Sequence, residues 1–348
     1  MERSKVSMMK RIVVLCMVLV FVGCRKKPEL RIYNWADYIA PDVIEEFEKR
    51  EGCRVIYDTF DSNEILLAKL QAGASGYDLI FPSHYVVDAM KSTGVIVKLD
   101  HSKIPSVVGH LDKDILSQMP DKECEYTIPY MISYTGIGYN KEAVKDFKAS
   151  WKMFECTDLQ KRATLLDDKR EVIGAALLAN GLDPNSTDPG DLAKARDTAK
   201  AWAKNVSKFE NEQYKNGLAS KEFVLVMGYS GDIIQAMDEN QEIAFAIPEE
   251  GAMMSCDVVA MPATAKNTDL AYKFIEFLHT PEIAAKNIEY VYYLCPNSDA
   301  YPLVSDEVKS NPAVFVEKET LSRCRFVVDQ GEKEAMFNTT WEEIKSGK

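Results

Sequence analysis

Leu30-Arg31-Ile32-Tyr33, Arg54 to Phe60, Tyr77-Asp78-Leu79-Ile80-Phe81 and Val95 to Leu99 are the stretches that decide the fold class. Each is a short run rich in β-branched or aromatic residues, and Pro82 stops the third. Helical patterns stand between them. Pro41 opens a helix with Val43, Ile44 and Phe47 on one face and Gly52 at its end. Ser62 or Asn63 caps the next, whose apolar side is Ile65, Leu66, Leu67 and Leu70, with Gly73 beyond. A third covers about Tyr85 to Lys91. Strand and helix in alternation predict a mostly parallel α/β sheet. Ligands of such sheets lie beyond the carboxyl ends of the strands, which singles out the polar residues around Asp37 and Ser83.

The second half repeats the theme. Thr164-Leu165-Leu166 runs into a helix of Val172, Ile173, Ala176 and Leu177, and a long helix spans about Pro189 to Val206. Phe223 to Met227, Ile243 to Ile247 and Val258 to Met261 read as strands, and Gly231 to Glu239, Asp269 to Leu278 and Glu282 to Glu289 as helices. Tyr126 to Tyr139 is apolar and holds Pro129, Gly136 and Gly138, the pattern of a segment passing between two halves.

The length of 348 residues is that of two domains, and 46% apolar with 28% charged residues excludes a disordered or fibrous chain. The net charge of −12 argues against nucleic acid as a partner and leaves small cations as possible ligands. Arg3, Lys5, Lys10 and Arg11 precede an apolar run from Ile12 to Gly23, the layout of a secretory signal too short to span a membrane stably. Phe21-Val22-Gly23-Cys24 resembles a lipobox, with Phe21 where Leu is usual, so cleavage before Cys24 and lipid on its thiol are expected. Residues 24–29 would then be a tether, and losing residues 1–23 leaves 325 residues with a net charge of −15. Cys53, Cys124, Cys156, Cys256, Cys295 and Cys324 are scattered singly, without a Cys-x-x-Cys pair, and read as buried free thiols rather than a zinc site.

Enzyme motifs are sparse. The four histidines form no His-x-x-x-His pair, and Gly228-Tyr229-Ser230-Gly231 lacks the spacing of a nucleophile elbow. What the chain offers is carboxylates beside aromatics at predicted strand ends. Trp35, Asp37 and Tyr38 follow the first strand, and Ser83 and Tyr85 the third. Asp168 and Glu171 follow Leu166, Tyr229 ends another strand, and Ser255 and Asp257 follow Gly251. Aromatic faces attract organic cations and carboxylates accept ammonium protons, so the combination suits an alkyl diamine. Each group also has a plain structural reading. Asp168 to Glu171 fits a capping box, Trp35 and Tyr38 fit core or rim, and Asp257 fits a solvated acid ahead of a strand.

These same segments resemble the spermidine/putrescine-binding proteins of bacterial ABC importers: Tyr33-Asn34-Trp35-Ala36-Asp37-Tyr38, Ser62-Asn63-Glu64, Tyr77 to Ser83, Leu165 to Val172, Tyr229-Ser230-Gly231, Ala260-Met261-Pro262-Ala263 and Pro296-Asn297. The resemblance implies an α/β, two-lobe periplasmic binding protein fold (type II), with hinge strands crossing between lobes. The lobes would be 30–135 plus 261–296 and 136–260 plus 297–348. It implies putrescine or spermidine as ligand, an ABC permease and its ATPase as partners, a monomer, no cofactor, no metal and no catalysis. Trp35 and Tyr38 would wall the cleft, Asp37 would hold an amine, and Ser83 and Tyr85 would line the floor. Asp168, Glu171 and Asp257 would hold amines, with Tyr229, where the family commonly has Trp, and Tyr293 as further rings. The chain departs from the family in having Ser255 where a Trp can stand and Val327, with Gln330 nearby, where the family has a polar residue. Receptors of this fold for a metal, an amino acid or another cation, and an extracytoplasmic enzyme acting on an amine, are the alternatives.

Overall fold

The structure is a computed structural model, and it describes residues 26–73, 76–159 and 161–347. The signal and Cys24 lie outside the described residues.

The first half builds a parallel three-stranded unit: β1 (Glu29–Asn34), α1 (Pro41–Glu51), β2 (Arg54–Thr59), α2 (Asn63–Gln71) and β3 (Leu79–Ile80). β1 pairs in parallel with both β2 and β3. Its limits follow the punctuation of the sequence. Pro41 supplies a fixed φ at the first turn of α1, and Gly52 closes that helix at φ 63°, a left-handed value glycine reaches without a steric cost. Ser62 Oγ accepts the Ile65 amide at 3.2 Å to cap α2. Val95 to Leu99, expected as a fourth strand, is not one. It makes a single antiparallel bridge, Ile96 to Pro262, with Val97 donating to the Met261 carbonyl, because its neighbour there is a turn rather than a strand.

β4 (Thr127–Asn140) is the long apolar segment, and it crosses from one half to the other as its composition predicts. The second unit follows: β5 (Ala163–Leu165), α3 (Lys169–Ala179), α4 (Pro189–Asn205), β6 (Lys208–Phe209), α5 (Tyr214–Ala219), β7 (Leu225–Tyr229), α6 (Ser230–Glu239) and β8 (Ile243–Ala246). The chain then returns through β9 (Met253–Ala260), α7 (Thr268–Leu278) and α8 (Pro281–Val291), and ends in β10 (Arg325–Phe326) and α9 (Glu334–Ser346). The main path of the sheet runs β2-β1-β3-β9-β4-β7-β5-β6. β5 is parallel to β6 and β7, while β4 is antiparallel to β9 at one end and to β7 and β8 at the other. Two parallel units are thus joined through the antiparallel pair β4 and β9.

Each unit has its own core. Leu30, Phe47, Phe81 and Phe274 belong to one, and Trp151, Leu165, Trp202 and Phe337 to another. The final segment, 297–348, divides between them: Ala300, Val304 and Val314 pack into the first core, and Val327, Phe337 and Ile344 into the second. No helix among the described residues is long and apolar enough to cross a membrane. The six described cysteines are free thiols, and all but Cys156 are buried, as expected of scattered single thiols.

The 17-residue α4 depends on Asp188, whose Oδ1 accepts the amides of Gly190 at 2.8 Å and Asp191 at 3.1 Å. Asp188→Ala is expected to lower stability by about 0.5–2 kcal/mol, seen as a lower urea midpoint with an unchanged slope. An unmoved midpoint would show that the cap contributes nothing.

Candidate functional site

All eleven sequence-derived site residues line one cavity of about 210 Å³. That is smaller than the roughly 300–1,000 Å³ of sites for drug-sized ligands, so its occupant is a small molecule.

The first-unit side is made by the loops after β1 and β3. Asn34 Oδ1 accepts the Trp35 amide at 2.8 Å, and Asp37 takes a left-handed φ of 52°, which a short polar side chain tolerates. That turn leads to Tyr38, which is buried. Its carbonyl accepts from Tyr130 Oη at 2.8 Å, and its ring meets Tyr130 and Tyr293 edge-on at 5.7 and 5.5 Å. After β3, the Ser83 amide donates to Asn63 Oδ1 at 3.0 Å. Asn63 Nδ2 donates in turn to Ser83 Oγ at 3.1 Å and Tyr85 Oη at 2.9 Å.

β9 supplies Ser255 and Asp257. They are two apart and so face the same side of the sheet. The strand begins five residues earlier than its sequence suggested, at Met253 rather than Val258, and this corrects the solvated-turn reading of Asp257. Both residues are buried inside a strand flanked on one side by β4, where Ser255 pairs across with Ser133. Tyr38 Oη donates to Asp257 Oδ2 at 2.5 Å and Ser83 Oγ donates to Oδ1 at 2.6 Å. Burial still pushes the carboxyl up to about 6, against the pull of those two hydroxyls.

On the other side, Asp168 caps α3 with Oδ1, which accepts the Arg170 amide at 2.8 Å and the Glu171 amide at 3.2 Å. The capping-box expectation is therefore half met. Asp168 does cap, but Glu171 does not bond back to it: its carboxyl is paired with Thr135, and its Oε2 is buried without a hydrogen-bond partner. Burial raises both carboxyls; Glu64 adds to the rise at Asp168, and Asp168 adds to that at Glu171. Tyr229 ends β7 and Tyr293 follows α8, both against this cleft.

Among the lining residues that escaped the sequence reading are Asp61, Asn63, Glu212, Tyr214, Lys215 and Asp232. Asp232 sits in the first turn of α6, three residues after Tyr229, so its place just beyond a strand end was a usable signal. Tyr214 Oη donates to Asp232 Oδ2, and burial raises the Asp232 carboxyl. Lys215 gave no signal, because nothing in its surroundings marks α5 as facing the cleft. Val327 and Gln330 are not part of the site. Val327 is fully buried in the second core, its carbonyl facing His84 Nε2 at 2.8 Å, and Gln330 Nε2 donates to the Asn185 carbonyl at 3.2 Å.

The described lining holds seven carboxylates (Asp37, Asp61, Asp168, Glu171, Glu212, Asp232 and Asp257) against one basic side chain, Lys215. It also holds three buried polar atoms without partners: Trp35 Nε1, Glu171 Oε2 and Ser255 Oγ. Buried carboxylates whose ionisation is held back by desolvation gain most from a cation that brings its own hydrogen-bond donors. Among the described residues, no group of three His, Cys, Asp or Glu side chains is arranged to hold a metal ion.

Comparison with known proteins agrees with this geometry. The bacterial extracellular solute-binding protein family matches residues 42–316. This chain belongs to that family. Among curated solute-binding relatives, the putrescine-binding periplasmic protein PotF of Escherichia coli strain K12 is 38% identical over 340 residues, covering 92% of both chains. Among solved structures, the TpPotD lipoprotein of Treponema pallidum superposes with a TM-score of 0.82 at 31% identity, over 91% of this chain and 99% of that one. The spermidine/putrescine ABC transporter substrate-binding protein PotD of Streptococcus pneumoniae gives 0.80 at 30%, over 92% and 99%. The two-lobe solute-binding fold, with β4 and β9 as the crossing strands, is thereby established for this chain.

Proposed function

We propose that this solute-binding protein is an extracytoplasmic polyamine receptor that takes putrescine or spermidine into the interlobe cleft and hands it to an ABC permease with its own ATPase. One observation carries the reading: a small cavity where seven carboxylates converge among the rings of Trp35, Tyr38, Tyr85, Tyr229 and Tyr293, with burial raising several of the acids. An amino acid would bring a carboxylate into that negative field, whereas a diamine brings a cation at each end and methylenes for the rings. Each cation–ring contact contributes about 0.5–2 kcal/mol when water is excluded.

The lobes are assigned as residues 30–135 plus 261–296 and residues 136–260 plus 297–348, with Ala300, Val304 and Val314 of the last segment packing against the first core. Asp37, Ser83 and Asp257 face the ligand from β1, β3 and β9, and Asp168, Glu171 and Tyr229 from α3 and β7. Closure of two lobes on a ligand bound between them is hinge motion, and the ligand shifts an existing balance between open and closed forms. No chemical step belongs to the cleft; binding and release are the whole cycle. Lipid on Cys24 would keep the receptor at the outer face of the membrane beside its permease, as a monomer, and the Treponema relative is itself described as a lipoprotein.

Putrescine is expected to bind at least as tightly as spermidine. Ser255 offers a hydroxyl where a ring would serve the longer ligand's extra arm, and its Oγ has no partner. Calorimetric titration with both amines at matched salt tests this. Spermidine binding more than tenfold tighter, about 1.4 kcal/mol, would contradict it.

A further inference from the structure

The acids of the cleft stand in three places. Asp168 and Glu171 lie at the start of α3, where Asp168 caps the helix. Asp257 lies on β9 between the hydroxyls of Tyr38 and Ser83. Asp232, which accepts from Tyr214, and Asp37, which pairs with Lys215, line the cleft at α6 and after β1. A linear triamine has three ammoniums to set against three such groups; a diamine has two.

At the third group a cation already stands. Lys215 Nζ lies 3.2 Å from Asp37 Oδ2 and 3.2 Å from Gln235 Oε1, and its charge also reaches Asp232. Gln235 is oriented for this contact, since its Nε2 donates to the Val291 carbonyl at 3.3 Å, leaving Oε1 for the lysine. The pair joins the two halves. Lys215 sits on α5, whose Tyr214 and Leu218 belong to the second core, while Asp37 follows β1 of the first. An exposed ion pair would be worth little. The Asp37 carboxylate is 63% exposed, so the pair itself adds little stability; what matters here is position, since the Lys215 side chain is only 21% exposed and its ammonium lines the cavity.

We propose that Lys215 is a specificity-determining residue: its tethered ammonium fills the third cation position, beside Asp37 and Asp232, so the cleft takes two ammoniums from solution and selects a diamine over a triamine. The proposal rests on the polyamine reading and narrows it. It also accounts for an Asp37 that is paired within the protein instead of turned wholly to a ligand. A triamine seated in the wild-type cleft would bring its third ammonium against the lysine's like charge, or leave that ammonium outside the acid group meant for it.

The test is competition calorimetry on the mature protein and on Lys215→Met, Lys215→Gln and Lys215→Arg, each with putrescine and with spermidine at one ionic strength. Removing the charge with Met or Gln is expected to raise the ratio of spermidine to putrescine affinity at least tenfold, and Arg, which keeps a cation, to return the ratio towards wild type. A merely structural lysine would change both affinities together and leave the ratio alone. A ratio within threefold of wild type in both neutral variants, with putrescine still bound, overturns the proposal and spares the receptor reading. Failure of both amines to bind the wild-type protein overturns both.

Discussion

Asp257→Asn is expected to weaken putrescine binding by about 2–5 kcal/mol, roughly 30- to 5,000-fold, while the protein stays folded. The carboxylate is buried, and each of its oxygens already accepts from a hydroxyl, Tyr38 at 2.5 Å and Ser83 at 2.6 Å. Asparagine keeps the shape. Its carbonyl accepts from one hydroxyl, and its amide group donates to the other once that hydroxyl rotates, so the local network survives. The negative charge that faces an ammonium does not. Glu171→Gln and Asp168→Asn should behave alike, the latter because the amide oxygen still caps α3. Circular dichroism and titration calorimetry on the three variants separate folding from binding. If all three bind putrescine normally, the carboxylates serve only as caps and structural acceptors.

The second large effect is with pH. Burial raises the carboxyls of Asp168, Glu171 and Asp232, and that of Asp257 to about 6. A bound dication favours their ionised forms, so binding lowers these values again and releases protons. The sign follows. Affinity is greatest above the ligand-free values and falls as pH drops through them, while the ligand's amines, like lysine, remain charged throughout. Asp257 alone would cost about tenfold at pH 5, one unit below its ligand-free value, or about 1.4 kcal/mol. Asp168 and Glu171 add to that, so a fall of well over tenfold is expected between pH 7.5 and pH 5. Calorimetry in two buffers of different ionisation enthalpy would read the released protons directly. An affinity that is flat over this range, with no proton release, would mean the acids are already ionised or do not meet the ligand.

The sequence carries most of the framework and part of the site, for reasons that differ from residue to residue. Pro41 and Gly52 mark the ends of α1 because both act locally, through fixed or permitted φ. The crossing strand β4 shows itself because a long segment buried on both faces carries few charged groups and is mostly apolar. Asp257 is harder. A buried acid inside a strand reads as a break in the strand until its partners Tyr38 and Ser83 are known, and they are 219 and 174 residues away. Val327 looks like a pocket residue by position along the chain, yet it is fully buried in the second core, and only tertiary packing decides that. Lys215 is the clearest case of what a sequence hides. A lysine between two strands is ordinary surface until the other half of the molecule brings Asp37 to it.

An organic dication is the natural occupant of the acidic, ring-lined cleft between the lobes. Titration calorimetry of residues 25–348 with putrescine at pH 7.5 tests it most directly, with an amino acid and a divalent metal as comparison ligands. Saturable binding of one putrescine per chain with release of protons is expected, and no heat from the comparison ligands. Absence of binding by putrescine and spermidine, with saturable binding of an amino acid or the metal, would contradict it.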